Sequence, residues 1–331
     1  MERFHIRESV IFEDILPDEY LKLSNAMKVS RSRMSLQQML DDPPDTMQLI
    51  GKFIEYDTHY NDLLYFLTTN RQIKLNTQPV FHWYINNTSI ESSCWLLEPI
   101  LIKHAISTLY EQQGMSLLRE NVKEANKFFK LSVKTREDLI TVLNRWKWKH
   151  IRNNITQKEW NISKINTLKT QQSLAMIDVG ISKHSASKTL FTVSQRAIRH
   201  ASLAYKAWPS DYNQKVLHLS EALRYLFSSN MLWSEAKYGQ SIYRIEHWLM
   251  GDFDAGPYKN IQEQLTGLLF LLSERKKDNE SIYFHKVEAA PSLIEPCQLM
   301  YNNEDVPHPA FEEKAPLNET HETELDLKSD E

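Results

Sequence analysis

Glycine is nearly missing from this chain: 7 residues in 331, about 2% where soluble proteins average roughly 7%. Folds built on many tight turns, or on backbone loops that cradle phosphate, need glycine where the chain must turn sharply or approach a ligand. Such folds are disfavoured, and long helices joined by short polar links are favoured. A length of 331 residues allows two domains or one elongated one, and easily buries a core.

Apolar spacing points the same way. Between Met47 and Leu67, residues Ile50, Phe53, Ile54, Tyr60, Leu64 and Leu67 keep helical periodicity, with Asp45 or Thr46 as the cap. The spacing predicts another helix from Ser89 or Glu91 to Tyr110, kinked at Pro99, and others over Val122–Trp148, Ser163–His184 and Lys188–Trp208. Pro209 stops the last of these, in which Ala201, Ala204 and Ala207 let neighbours approach closely. Gln214–Phe227, Trp233–Leu249 and Tyr258–Lys277 supply three more. Residues 1–23 alternate loosely, with Phe4, Ile6, Val10 and Phe12 suggesting one or two short strands. Lys28, Arg31 and Arg33 read as a link to Asp41-Asp42-Pro43-Pro44. The expected class is mostly α: a curved α-solenoid or helical bundle of TPR-like helix pairs, with a small β element near the N-terminus.

The formal net charge of −4 is unevenly spread. Residues 302–331 hold ten Asp or Glu against Lys314 and Lys328, which leaves the body near +4. With Pro307, Pro309 and Pro316 among the acids, this tail is expected to be disordered, and residues 1–301 to form the folded domain. The body is too weakly basic for a dedicated nucleic-acid binder. Two cysteines form no framework, no secretory leader is evident, and the apolar runs at Cys94–Ile102 and Leu268–Leu272 are too short to span a bilayer. A reducing, cytoplasmic setting is expected.

The search for chemistry is largely negative. Gly251–Gly256 has P-loop glycine spacing, but Pro257 stands where the lysine belongs. The same stretch imitates a calcium loop through Asp252, Asp254 and Glu263, yet Gly256 and Pro257 break the pattern at its fifth and sixth positions. A helix-to-helix turn is the expectation, with no metal site, no cofactor and no catalytic residue. Glu246-His247 reads as a packed or surface pair, and no serine sits in a nucleophile elbow. Arg145-Trp146-Lys147-Trp148-Lys149 interleaves cations and indoles. It reads first as a helix end, and alternatively as a membrane contact through Arg145, Lys147 and Lys149. Arg196, Arg199 and His200 form a basic strip opposite Val193, Ala197, Ile198 and Ala204, suiting solvent or an acidic partner helix.

Four patches in order resemble the BRO domain family, the curved helical domain of Alix and of fungal regulators of endosomal sorting and ambient-pH signalling. Phe81-His82-Trp83 with the following helix looks like the family's F-x-W loop, and Leu174-Ala175 through Ala204-Tyr205 its paired helices. Lys237-Tyr238-Gly239-Gln240-Ser241-Ile242 is similar to its K-Y-G-x-A-I element. Asn279–Val287 looks like its N-x-x-I-Y-x-x-x-V strand, although Glu288-Ala289 follows instead of Pro-Asp. Trp248-Leu249-Met250-Gly251 beside Asp254-Ala255-Gly256 looks most like the palC-type fungal pH-response regulators.

The resemblance implies a non-catalytic adaptor that docks the C-terminal helix of the main polymerising ESCRT-III subunit, in Rim/Pal-type alkaline pH signalling. It further implies peripheral recruitment to endosomal or plasma membrane. Carried over by position, the groove comprises Ile181, His184, Ser194 and Ile198, with Leu299 or Met300 from the segment after the strand and Arg199 meeting acids of the partner. Ile181 replaces a usual phenylalanine, His184 a usual lysine and Ser194 a usual isoleucine. Core packing is the other reading of Ile181 and Ile198. The alternatives for function are general multivesicular-body sorting, or a TPR-like adaptor for nucleic acid or chaperone.

Overall fold

The computed structural model describes residues 3–7, 10–43, 45–86, 88–145, 153–246 and 255–290. The elements run β1 (Phe4–Ile6), α1 (Phe12–Ile15), α2 (Leu21–Ser24), α3 (Ala26–Asp41), α4 (Thr46–Thr69), β2 (Phe81–Ile85) and β3 (Thr88–Ser92). There follow α5 (Leu97–Leu117), α6 (Val122–Leu143), α7 (Lys158–Ser182), α8 (Ser187–Ala207), α9 (Asp211–Ser234), α10 (Tyr238–Glu246), α11 (Lys259–Thr266) and α12 (Leu268–Asp278). From α5 to α10 each helix packs on its predecessor, which is the helix-on-helix stacking expected of a solenoid. The three strands form one antiparallel sheet in the order β1-β2-β3, with Phe4 opposite Ile85 and Trp83 opposite Ile90. Asp45 caps α4, accepting from the amides of Met47 and Gln48.

Several expectations need correction. Phe12 opens a helical turn rather than a strand, and the supposed link through Lys28, Arg31 and Arg33 is α3. Ser89 and Glu91 belong to β3, because Asn86 at φ 50° turns the chain back on itself. The next helix starts at Leu97, so Pro99 lies in its first turn, where a missing N–H breaks no intrahelical bond and no kink is required. Gly267 divides the expected Tyr258–Lys277 helix into α11 and α12. Asn279–Val287 is not a strand: Asn279–Tyr283 make a π-helical turn that Phe284 ends at φ 55°.

Two cores lie side by side. The N-terminal one gathers Phe4, Phe12, Phe53, Tyr56, Tyr60, Phe81 and Trp83 from four elements, and Trp95 from the turn before α5. Glu98, fully buried in the first turn of α5, is its polar centre. One carboxylate oxygen accepts from Arg33 Nε at 3.0 Å and the Tyr56 hydroxyl at 2.6 Å, and the other accepts from the Trp83 indole at 2.7 Å. Burial alone would lower the Arg33 guanidinium, and Glu98 and Tyr56 together more than offset it. Burial, then Glu98, pushes the Tyr56 hydroxyl well up, which keeps it a donor.

The second core, from the end of α5 to α12, is mostly aliphatic, with Phe129, Phe227 and Tyr258 as its buried rings. Ser229 on α9 and Ser241 on α10 each donate to the other's backbone carbonyl at 2.9 Å. Ser107 and Ser132 repeat the arrangement between α5 and α6, at 3.1 and 2.7 Å. Arg275 reaches the Ser229 and Ser241 hydroxyls at 2.7 and 3.0 Å and Asn230 at 2.6 Å, with its guanidinium over the Trp233 ring. Burial among these neutral groups lowers Arg275 to about 10.

Candidate partner-binding surface

α7 and α8 form an antiparallel hairpin whose turn carries His184 at φ 52°. The Ser185 amide donates to Gly180 O at 2.8 Å, closing the end of α7. A Cβ at Gly180 would stand 2.6 Å from the Leu190 Cδ2 on α8, so the leucine side chain would have to move aside. At the other end the Ser163 hydroxyl donates to Ala204 O at 2.9 Å, so the two helices are held in close approach along their length. Leu190, Ser194, Ala197, Ile198, Ala201 and Ala204 are the buried stripe of α8.

That stripe decides where the expected groove residues fall. Ser194 is fully buried, its hydroxyl donating to Phe191 O at 2.7 Å, and Ile198 is only 3% exposed. Neither lines an open face. The small side chain at Ser194 helps α8 close on its neighbours, and Ile198 one turn on is enclosed with it. Ile181 is half-buried with Phe191 and Val193, packed against the second core at the turn end of the hairpin, and His184 is exposed beside them. Arg199 is half-buried on the outward side, about 14 Å along α8 from Leu190. The hairpin thus brings Ile181 and His184 together, and leaves Arg199 apart. Leu299, Lys147 and Lys149 lie outside the described residues, as do Asp252, Asp254 and the acidic tail. Arg145 is exposed just beyond α6.

Two polar side chains lie behind the hairpin: Asp178, and His200, which the basic strip places toward solvent or a partner and which is instead buried. Asp178 on α7 accepts from the Ile261 amide at 3.0 Å and the Asn260 side chain at 2.9 Å, supplying α11 with the N-terminal cap that Tyr258 lacks. His200 is buried with Nδ1 3.2 Å from Asn166 Oδ1. Burial first, then Lys169, Arg196 and Arg199, push it down to about 3.

The motif residues at the C-terminal end come together as a clamp. Asn279 holds the backbone of His285 from both sides, donating to its carbonyl at 2.7 Å and accepting from its amide at 3.0 Å. The rings of Tyr283 and Tyr238 stack at 3.7 Å, with Trp233 edge-on to both. Gly239 lets this segment pass over α10: a Cβ there would lie 1.9 Å from Lys286 O. Phe81 and Trp83 are likewise inward residues of β2, with Ile85, and Trp83 is the donor to Glu98.

No protein-family model and no curated relative matches the chain. Solved structures do. ALIX bound to the SIVmac239 PYKEVTEDL late domain superposes with a TM-score of 0.66 at 13% identity, over 87% of this chain and 46% of that one. The chain therefore spans under half the length of that ALIX structure. The ALIX BRO1 domain in complex with CHMP4C gives 0.67 at 13% identity, over 91% and 97%. A Bro1 domain solved for its endosomal targeting gives 0.63 at 14%, over 90% and 89%. The fold is that of the Bro1 domain. Among the described residues, no group of three or more His, Cys, Asp or Glu side chains is placed to hold a metal, and no helix is long and apolar enough to cross a membrane.

Proposed function

We propose that this chain is a non-catalytic adaptor that docks the C-terminal amphipathic helix of the main polymerising ESCRT-III subunit. The observation that carries the reading is near-complete overlap with a BRO1 domain solved in complex with CHMP4C. The docking mode is helix-in-groove at the turn end of the α7–α8 hairpin. Ile181 is the accessible apolar anchor, His184 and Arg199 face acids of the partner, and Leu299 closes the groove from the C-terminal segment. Ser194 and Ile198 form the wall behind it. Arg145, Lys147 and Lys149 rest on anionic headgroups when the complex is recruited from the cytoplasm to endosomal or plasma membrane.

The pathway is Rim/Pal-type alkaline pH signalling, supported by the resemblance to the palC-type regulators. The test pairs immobilised full chain with the ESCRT-III subunit, intact and lacking its terminal helix. Retention of the intact subunit alone is expected; equal retention of both forms would overturn the docking mode. Cells lacking the chain should fail to respond to alkaline medium. A normal response with defective cargo sorting would move the protein to general multivesicular-body sorting.

A further inference from the structure

The outward side of α8 carries cations and the helix has no acid. Lys188, Thr192, Arg196, Arg199, Leu203 and Lys206 follow one another at steps of four and three residues, a single stripe about 27 Å long. Lys188, Arg196 and Lys206 are exposed and enter no ion pair among the described residues. On the adjacent α7, Asp178 is engaged as the cap of α11 and Glu159 lies in the first turn. Among the described residues Lys169 pairs with Glu137 alone, at 3.5 Å. His200 registers the resulting field: after burial, what lowers it is three cations. Leu203, 43% exposed, adds an apolar position within the stripe.

The complementary charge lies in the same chain. Residues 302–331 hold ten acids against two lysines, and Leu325 sits between Glu324 and Asp326. About 22 residues separate Ala290, where the described structure ends, from Glu312. Extended, they reach up to about 70 Å, longer than the stripe and the approach to it. We infer that residues 303–331 lie along the outward stripe of α8 in the same molecule, acids against Lys188, Arg196 and Lys206 and the leucine against Leu203. Surface pairs of this kind fix a segment locally while adding little to global stability. The inference holds whether or not the ESCRT-III docking does.

Carbodiimide crosslinking of the full chain, read by peptide mass spectrometry, tests it. Links from Lys188 and Lys206 to glutamates of residues 312–331 are expected within the monomer. They should fall about tenfold in roughly 1 M salt, where screening acts within a few ångströms. The exposed Lys52–Glu55 pair, 2.7 Å apart, is the internal standard. Joint substitution Glu319→Gln, Glu322→Gln and Glu324→Gln, which leaves the folded part untouched, should reduce the links to the two lysines from the remaining tail acids by a similar factor. Links spread evenly over other exposed lysines, links that persist in salt, links found only in a dimer, or none at all would each overturn the proposal.

Discussion

The two cores are held together by different chemistry. In the N-terminal half, strands, short helices and long helices pack around a core rich in large rings. Phe12, Tyr60, Phe81 and Trp95 meet at ring separations of 5.8 to 6.4 Å. Directional bonds to a single carboxylate, Glu98, then fix α3, α4, β2 and α5 in one arrangement. In the C-terminal half similar helices stack in sequence, and close approach matters more than filling. Serine pairs and the alanines of α8 supply it. Charge follows the same division. Arg33 is matched by a carboxylate and its guanidinium is raised, whereas Arg275 sits among neutral oxygens and is lowered. The first half is pinned at one point, and the second is distributed, with Arg275 buried among neutral groups and the lysines and Arg196 of α8 facing outward.

The largest effect that could break this contrast is at Glu98. Glu98→Ala leaves Arg33 buried without its carboxylate and should cost about 3–5 kcal/mol in denaturant unfolding. A loss below about 1 kcal/mol would mean that the carboxylate does not pin the N-terminal half. Next comes Ile198→Asp, which places an unpartnered charge inside the close-packed stripe of α8. A loss of about 3 kcal/mol, with the melting temperature falling accordingly, is expected. Near wild-type melting would return Ile198 to an open groove.

Gly239→Val tests the clamp over α10. With a carbonyl where its side chain must go, the segment from Asn279 to Ala290 should lift off, at about 1–3 kcal/mol. Limited proteolysis near His285 should become rapid while helicity is retained; unchanged cleavage would show that the backbone yields without detaching.

At neutral pH the least visible effect is that of His200, which shows only on acidification. Its folded value of about 3 lies below the usual 6.5, so the native state keeps it neutral while the unfolded chain takes up a proton. Its contribution is complete above about pH 6.5 and is lost as pH falls from there towards 3, by at most about 1.4 kcal/mol per pH unit. His200→Asn should flatten that slope relative to wild type. Parallel pH profiles would show that the cations around it are compensated.

The contrast also explains what the sequence makes legible. Helices with steady apolar spacing, such as α4 and α8, can be read directly, as can the Asp45 cap, because their causes lie within a few residues. α3 hides because Ser30, Ser32 and Arg33 are buried polar residues that interrupt the apolar rhythm. β3 hides because Ile90 is its only fully inward residue, and the turn at Asn86 is the better signal. Glu98 and Arg33 are 65 residues apart, beyond the reach of any local pattern. At the candidate site, both sides of α8 carry apolar residues, so spacing alone leaves the buried side open. The alanines at 197, 201 and 204 mark it, and Ser194 and Ile198 go with them.

The central claim is that the turn end of the α7–α8 hairpin accepts an amphipathic helix, and an anisotropy titration of the full chain with the ESCRT-III C-terminal helix peptide tests it most directly. Wild type should saturate at micromolar peptide, and Ile181→Asp, at a half-buried position, should weaken binding about thirtyfold with a nearly unchanged melting temperature. Absence of saturable binding by the wild type, or full affinity in a stably folded Ile181→Asp variant, would contradict the account.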